Sequence, residues 1–369
     1  MKHLKKSLTT FLLLGATGFG PGVQAAEDAV VNFYGWPAYM TDDTLPNFSR
    51  QSGIRVVYDV FDTNEVLEAK LLAGNTGYDL VMPGSDFMMR QIKAGVFQEL
   101  DKSKIPNYAG LDPELMKLMA QYDPGNDYGV PYMWGTTGIG YDVDKVKKVL
   151  GADAPLDSWD LVLKPENLEK LAGCGVAFLD NPTEVYMTVL NYLGKDPHSQ
   201  DPKDYSGAAT DLLLKLRPYI SYFHSSRPIS DLANGEICVA LGWSGDIMQA
   251  RNRAQEAGGK VNIGYTIPKE GALMWFDVMT IPKDAKHPEN AHKLINYLLT
   301  PEVMGANSNF VAYANPVPAS RPFLKPEVAD DRGVFPDEAV MKKLFVAQEL
   351  PVKLNRVVTR SWTRVRTGR

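Results

Sequence analysis

Val30-Val31-Asn32-Phe33-Tyr34, Ile54-Arg55-Val56-Val57-Tyr58 and Tyr78-Asp79-Leu80-Val81-Met82 are short runs rich in β-branched and aromatic residues. Between them lie amphipathic helical stretches over 44–51 and 65–72. This β-α-β-α-β rhythm predicts a mostly parallel sheet with helices on both faces, because parallel neighbours need crossover connections and helices supply them. Asp62 and Glu65 have capping-box spacing at the start of the second helix, and Gly74 suits its end. The rhythm returns in the middle of the chain, with Gly175-Val176-Ala177-Phe178-Leu179, helices over 184–193 and 208–216, and Ile237-Cys238-Val239-Ala240-Leu241. Two α/β lobes are therefore expected. Gly135-Thr136-Thr137-Gly138-Ile139-Gly140 joins glycine to β-branched residues and marks a crossing between lobes, with a second crossing over 258–265. The division expected is 27–134 plus 258–304 for the first lobe, and 135–257 plus 305–369 for the second.

Composition agrees with a soluble globular protein: 369 residues, 44% hydrophobic and 22% charged. With 39 Lys and Arg against 44 Asp and Glu, the formal charge is -5. The body holds no basic block, which argues against nucleic-acid or anionic-membrane binding as the main task and favours cationic or neutral partners. Five arginines, Arg356, Arg360, Arg364, Arg366 and Arg369, close the chain without an acid among them, and read as a solvated helical end.

Residues 1–26 have the pattern of a secretory signal peptide. Lys2, Lys5 and Lys6 precede an apolar run from Leu8 to Leu14, and small residues end the segment at Ala25 and Ala26, where the cut is expected. The run is far shorter than the roughly 20 residues of a spanning helix. Cutting after Ala26 removes three lysines and no acid, leaving 36 basic against 44 acidic side chains, net -8. The two cysteines, Cys174 and Cys238, suggest one disulfide in an oxidising compartment, the alternative being two separate buried thiols. A bridge over that 64-residue separation would be worth up to roughly 4 kcal/mol in the chain-entropy model.

Enzyme signatures are mostly missing. Gly242-Trp243-Ser244-Gly245-Asp246 places Asp where a nucleophile elbow needs Gly. No phosphate loop occurs, and Gly138-Ile139-Gly140 does not complete a dinucleotide fingerprint. His198, His224, His287 and His292 show no metal-ligand spacing, so neither a metal nor a cofactor is expected. Paired carboxylates of a hydrolase depend on spatial separation and stay open at this point. A different pattern carries more: aromatics sit beside acids or turn residues at predicted strand ends. These are Trp36 and Tyr39, Asp86 with Phe87, Trp243 with Asp246, Trp275 with Asp277, and Tyr313. Strand ends of open α/β sheets are where ligands bind. Aromatic faces attract alkylammonium groups and carboxylates add charge-assisted hydrogen bonds, so an aromatic box with acidic ends suits an aliphatic dication.

Val57-Tyr58-Asp59-Val60-Phe61-Asp62, Pro131-Tyr132-Met133-Trp134-Gly135-Thr136-Thr137-Gly138-Ile139-Gly140-Tyr141, Leu190-Asn191-Tyr192-Leu193-Gly194 and Asp231-Leu232-Ala233-Asn234-Gly235 resemble the periplasmic polyamine (putrescine/spermidine)-binding proteins of ABC importers, the putrescine-binding branch above all. The resemblance covers essentially the whole mature chain. It implies a two-lobed periplasmic-binding-protein fold (type II) with a hinge, closure around a polyamine, and delivery to a membrane permease driven by an ATPase. It implies that Cys174 and Cys238 pair. It also implies that Trp243, Asp246 and Asp277 hold one ammonium head, that Glu184 lies near the other, and that Trp36, Trp275 and Tyr313 are walls, Trp275 standing where Phe is usual.

Two departures bear on the ligand. Where the family commonly reads Trp-Ser-Asp-Tyr, this chain has Trp36-Pro37-Ala38-Tyr39, losing a hydroxyl and an acid; where the putrescine-binding relatives have Ser before Phe, it has Asp86 before Phe87. Asp86 either restores the lost charge from another wall or faces solvent and leaves the pocket with a weaker distal end. The reading is thus a monomeric, non-enzymatic receptor for a polyamine. A receptor for another amine or amine conjugate, a sensor subunit, and a secreted carboxylate-dependent hydrolase are the alternatives.

Overall fold

The computed structural model describes residues 28–369, so the leader read over 1–26 lies outside the described residues. β1 (Val30–Gly35), α1 (Thr44–Ser52), β2 (Arg55–Val60), α2 (Asn64–Ala73), β3 (Leu80–Val81) and α3 (Ser85–Lys93) realise the opening rhythm. β1 lies between β2 and β3 and runs parallel to both, with Phe33 level with Tyr58 and Leu80. Thr63, not Asp62, caps α2: its hydroxyl accepts the Val66 N–H at 3.3 Å from an extended backbone, one residue nearer Glu65 than capping-box spacing places it. Gly74 ends α2 at φ 72°, as expected of glycine there.

β4 (Gly129–Asp142) is a 14-residue strand, buried throughout, and it serves both lobes. Beyond it come β5 (Val176–Phe178), α4 (Pro182–Tyr192), β6 (Tyr222–Phe223), β7 (Val239–Trp243), α5 (Ser244–Glu256) and β8 (Ile263–Thr266). The chain then returns through β9 (Leu273–Thr280), α6 (Pro288–Leu298), α7 (Pro301–Val311), β10 (Phe345–Val346) and α8 (Val352–Thr367). Up to Thr136, β4 pairs antiparallel with β9, which also meets β3 and β10. From Thr137 onward it pairs with β7 and β8 instead, and β7, β5 and β6 continue in parallel.

Side-chain alternation assigns the faces. In the first lobe Val31, Phe33, Leu80 and Met279 pack with Phe48 of α1 and Leu294 of α6, while Tyr34, Val81, Phe276 and Val278 pack with Leu67 of α2 and Met88 of α3. In the second, Val176, Phe178, Val239 and Leu241 pack with Val189 of α4 and with Val358 and Trp362 of α8; Ala177 and Ala240 face Ile247 and Ala250 of α5. The return crossing lies between β8 and β9, later than 258–265. The stretch 305–346, assigned from sequence to the second lobe, packs against the first: Val311, Tyr313 and Val317 join its core, and β10 pairs with β9. Turns and short helices carry no periodicity that says which sheet they cover.

Cys174, in the turn before β5, is bonded to Cys238, at the start of β7, with the Cα atoms 5.5 Å apart. The bridge ties the entries of two neighbouring parallel strands. Among the described residues no helix is long and apolar enough to cross a membrane.

Candidate functional site

Strand ends position most of the predicted side chains. β1 runs out into Trp36 and Tyr39, β3 into α3 with Asp86 and Phe87, β5 into α4 with Glu184, and β7 into Trp243 and then α5 with Asp246. Three of the four acids therefore stand in the first turn of a helix, where the aligned peptide dipoles favour a negative charge. The fourth, Asp277, lies within β9 opposite Met133 of β4, and its backbone bridges to Gly84.

Around Asp277 and Asp246 the aromatics form a connected wall. Tyr39 donates its hydroxyl to Asp277, and Tyr313 donates to Asp246 at 3.2 Å. The Tyr313 ring stands edge-on to Trp275, centroids 5.1 Å apart, and edge-on to Tyr39 at 6.1 Å. Burial, reinforced by the charges of Asp246 and Asp277, pushes the Tyr313 hydroxyl well above its ordinary pKa, so it stays a donor. Trp36 packs on Phe61 with centroids 4.4 Å apart, and its indole N–H helps to hold the charge of the Asp277 carboxylate.

Two glycines let this wall close. A Cβ on Gly135 would stand 2.5 Å from the Trp275 ring and 2.9 Å from the Ser244 hydroxyl; one on Gly245 would stand 2.3 Å from the Tyr313 ring. Any side chain at either position displaces an aromatic of the site.

At the other end, Trp243 donates its indole N–H to both Glu184 oxygens, at 3.2 and 3.0 Å. Thr137 donates its hydroxyl to the same carboxylate, and Asn181, the N-cap of α4, donates to it at 2.7 Å. Asp86 stands two residues beyond Gly84, and its charge raises the pKa of both Asp277 and Glu184, so it is within electrostatic reach of both. Phe87 is not brought into this group by any contact; its ring carries the Arg90 guanidinium 3.6 Å above it, and Arg90 is paired with Glu68.

The charge state of the site follows from burial. Loss of water raises Asp246, Asp277 and Glu184 each to about 7. Hydrogen bonds from Tyr313 to Asp246, from Tyr39 and Trp36 to Asp277, and from Thr137 and Trp243 to Glu184 pull against that rise. Asp86 is raised too, chiefly by burial, with Arg90 opposing. None of the four has a Lys, Arg or His within ion-pair distance among the described residues. Asp246, Asp277 and Glu184 each hold neutral side-chain donors, and none of the four acids is neutralised by an ion pair.

Sequence reading missed Thr137, Asn181, Tyr132, Gly135 and Gly245 as parts of the site. Tyr132, fully buried, donates to the Tyr39 carbonyl at 3.1 Å and fixes the loop after β1. Pro37 and Ala38 in that loop are exposed, and Ala38 has φ 50°, a left-handed conformation that costs an L-residue about 1 kcal/mol or more. Among the described residues no three His, Cys, Asp or Glu side chains are grouped to hold a metal ion.

Two α/β lobes threaded by a shared strand, with acids and aromatics gathered where their strand ends meet, define a receptor for a small solute. The chain belongs to the bacterial extracellular solute-binding proteins, whose family pattern it matches over residues 45–336. It is 56% identical, over the whole of both chains, to the putrescine-binding periplasmic protein PotF of Escherichia coli. It is 51% identical, again over both whole chains, to the putrescine-binding periplasmic protein SpuD of Pseudomonas aeruginosa. Among solved structures, the spermidine/putrescine ABC transporter substrate-binding protein PotD of Streptococcus pneumoniae superimposes with a TM-score of 0.81 at 28% identity, covering 92% of this chain and 99% of its own.

Proposed function

We propose that this chain is a periplasmic solute-binding protein that captures a polyamine, putrescine or a related di- or polyamine, between its lobes and delivers it to the permease subunits of an ABC importer. The observation that carries the reading is the set of four converging acids without a cation, walled by Tyr39, Tyr313, Trp275 and Trp36. A buried carboxylate without a counter-charge is costly, and an alkyl diamine removes that cost at both ends while its methylenes lie on aromatic faces. The full-length kinship to putrescine-binding proteins supports the same ligand class.

In this reading Asp246 and Asp277, with Tyr39, hold one ammonium group, and Trp243, hydrogen-bonded to Glu184, stands toward the other. Glu184 and Asp86 hold the distal end, Asp86 supplying the charge absent at Ala38. Phe87 contributes a wall only with Arg90 displaced from its face. The lobes divide between Thr136 and Thr137, between β8 and β9, and between β10 and α8, and the crossings between them are the hinge. The chain works as a monomer, without a cofactor and without catalysis, after its leader is cut near Ala25 or Ala26.

The test is calorimetric titration of the mature protein, unfolded and refolded to strip carried-over ligand, with putrescine, cadaverine, agmatine and spermidine. Tight one-to-one binding of at least one amine is expected; a folded protein that binds none of them overturns the assignment. Asp86→Ser is expected to reorder the affinities of these amines while leaving the melting temperature nearly unchanged. An unaltered ranking removes Asp86 from the site.

A further inference from the structure

We propose that the outer face of α8 is a docking surface for an anionic phospholipid leaflet. Residues 352–369 carry six basic side chains, Lys353, Arg356, Arg360, Arg364, Arg366 and Arg369, and no acid. The rest of the mature chain holds 30 basic against 44 acidic residues, net -14, so the molecule is strongly polarised toward this one helix. Helical spacing sets Lys353, Arg356, Arg360 and Arg364 along one exposed stripe. Leu354, Val358, Trp362 and Val365 lie on the opposite side, buried in the second-lobe core.

Among the described residues no acid neutralises the stripe. Of the six cations only Arg366 forms an ion pair among the described residues, with Asp180 at 3.1 Å. Arg356, Arg360 and Arg364 stand four apart, the spacing at which like charges weaken a helix. A solvated helical end accounts for exposure but not for a row of cations unrelieved by a single acid. An external anion relieves that repulsion.

The shape of the stripe selects the anion. Lys353 to Arg364 span roughly 17 Å along a convex, straight helix, which offers no concavity to a compact acidic ligand. A planar array of negative headgroups meets all four cations at once. Val352, 70% exposed beside Lys353, adds an apolar side chain at the end of the same row. Basic clusters of this size on amphipathic helices attract anionic lipid, each cation near the surface contributing roughly fivefold in affinity.

The experiment sediments the mature protein with vesicles of phosphatidylcholine alone, and of phosphatidylcholine with about one third phosphatidylglycerol. Retention by the anionic vesicles at low salt is expected, fading as added salt shortens the screening length. The variant Arg356→Glu/Arg360→Glu/Arg364→Glu is expected to lose about a hundredfold or more in that affinity, with its circular dichroism and amine binding unchanged. The proposal is overturned if the parent protein ignores anionic vesicles, if it binds neutral ones equally, or if the triple variant is retained like the parent. Capture by an acidic protein surface with no retention on vesicles overturns it as well and reassigns the face.

Discussion

At the scale of single residues, the site is a problem of charge. Asp277 and Asp246 each hold a tyrosine donor and no cation, so each is built to accept more hydrogen bonds from a positive ligand. Replacing either by Asn keeps the volume and removes the charge. Asp277→Asn and Asp246→Asn are each expected to weaken amine binding by about 2 to 5 kcal/mol, about thirtyfold or more, with the thermal melting curve of the ligand-free protein shifted little or upward. Unchanged affinity in calorimetry would remove that residue from the ligand. The pH dependence has a definite sign. In the empty site three carboxylates are lifted to about 7 by burial, so below neutrality they hold protons that a dication must displace. Amine affinity is therefore expected to be highest above pH 8 and to fall below pH 7, by up to about tenfold per pH unit for each proton released. The ligand-free fold responds in the opposite direction: the folded state binds these protons more tightly than the unfolded chain, so their contribution favours stability below pH 7 and fades as pH rises through it. Titrations at pH 6, 7 and 8 in buffers of different ionisation enthalpy count the protons released; none released, with affinity flat across that range, would refute the charge assignment.

Between residues and the fold stand the elements, and here sequence reading was uneven for physical reasons. The opening strands were legible because Val31, Phe33 and their neighbours alternate between two covered faces. So were Asp86 and Asp246, since each follows a strand-like run, whereas Glu184 entered only through the family resemblance. The cap of α2 was misplaced by one residue because Asp62 and Thr63 are both good capping residues, and only the backbone angles decide between them. Tyr78-Asp79-Leu80-Val81-Met82 gives a ladder of only Leu80 and Val81, and beside it the Asp79 carboxylate accepts from backbone N–H groups of Asn32, Lys286 and His287. Gly135 and Gly245 could not be assigned to the site from sequence, because what each makes room for lies 140 and 68 residues away, at Trp275 and Tyr313. That proximity carries a prediction. Gly245→Ala adds a better helix former to α5, a gain of roughly 1 kcal/mol in an open helix, yet places a methyl group against the Tyr313 ring. The variant is expected to keep its helical content and to lose amine affinity at least tenfold, since Tyr313 must leave Asp246. Full affinity with unperturbed tyrosine fluorescence would show that the wall tolerates the shift.

For the whole molecule, the arrangement of the lobes is itself a variable that binding must set. Tyr313 follows α7 of the first lobe and reaches Asp246 on α5 of the second, so the structure has the lobes together at the site. On the same helix α5, Arg251 reaches Asp331 at 2.6 Å, the two side chains only 26% and 15% exposed. Asp331 belongs to a segment whose Val328 and Val334 pack in the first lobe with Tyr34, Phe61 and Trp134, and its other oxygen accepts the Gly333 N–H at 2.7 Å. The pair therefore ties one lobe to the other away from the ligand acids. Apparent affinity equals intrinsic affinity multiplied by the fraction of molecules in the competent arrangement, so a contact that favours this arrangement strengthens binding without touching ligand. Arg251→Ala and Asp331→Asn are each expected to weaken amine binding by about fivefold, corresponding to about 1 kcal/mol for a pair of this exposure. The double variant should be no worse than either single one, because the shared interaction is already gone. Small-angle scattering of the ligand-free proteins should show a larger radius of gyration in the variants, and saturating amine should return them to the parent value. Unchanged affinity in both single variants, or strictly additive losses in the double variant, would mean that the pair stabilises α5 locally and has no part in setting the lobes.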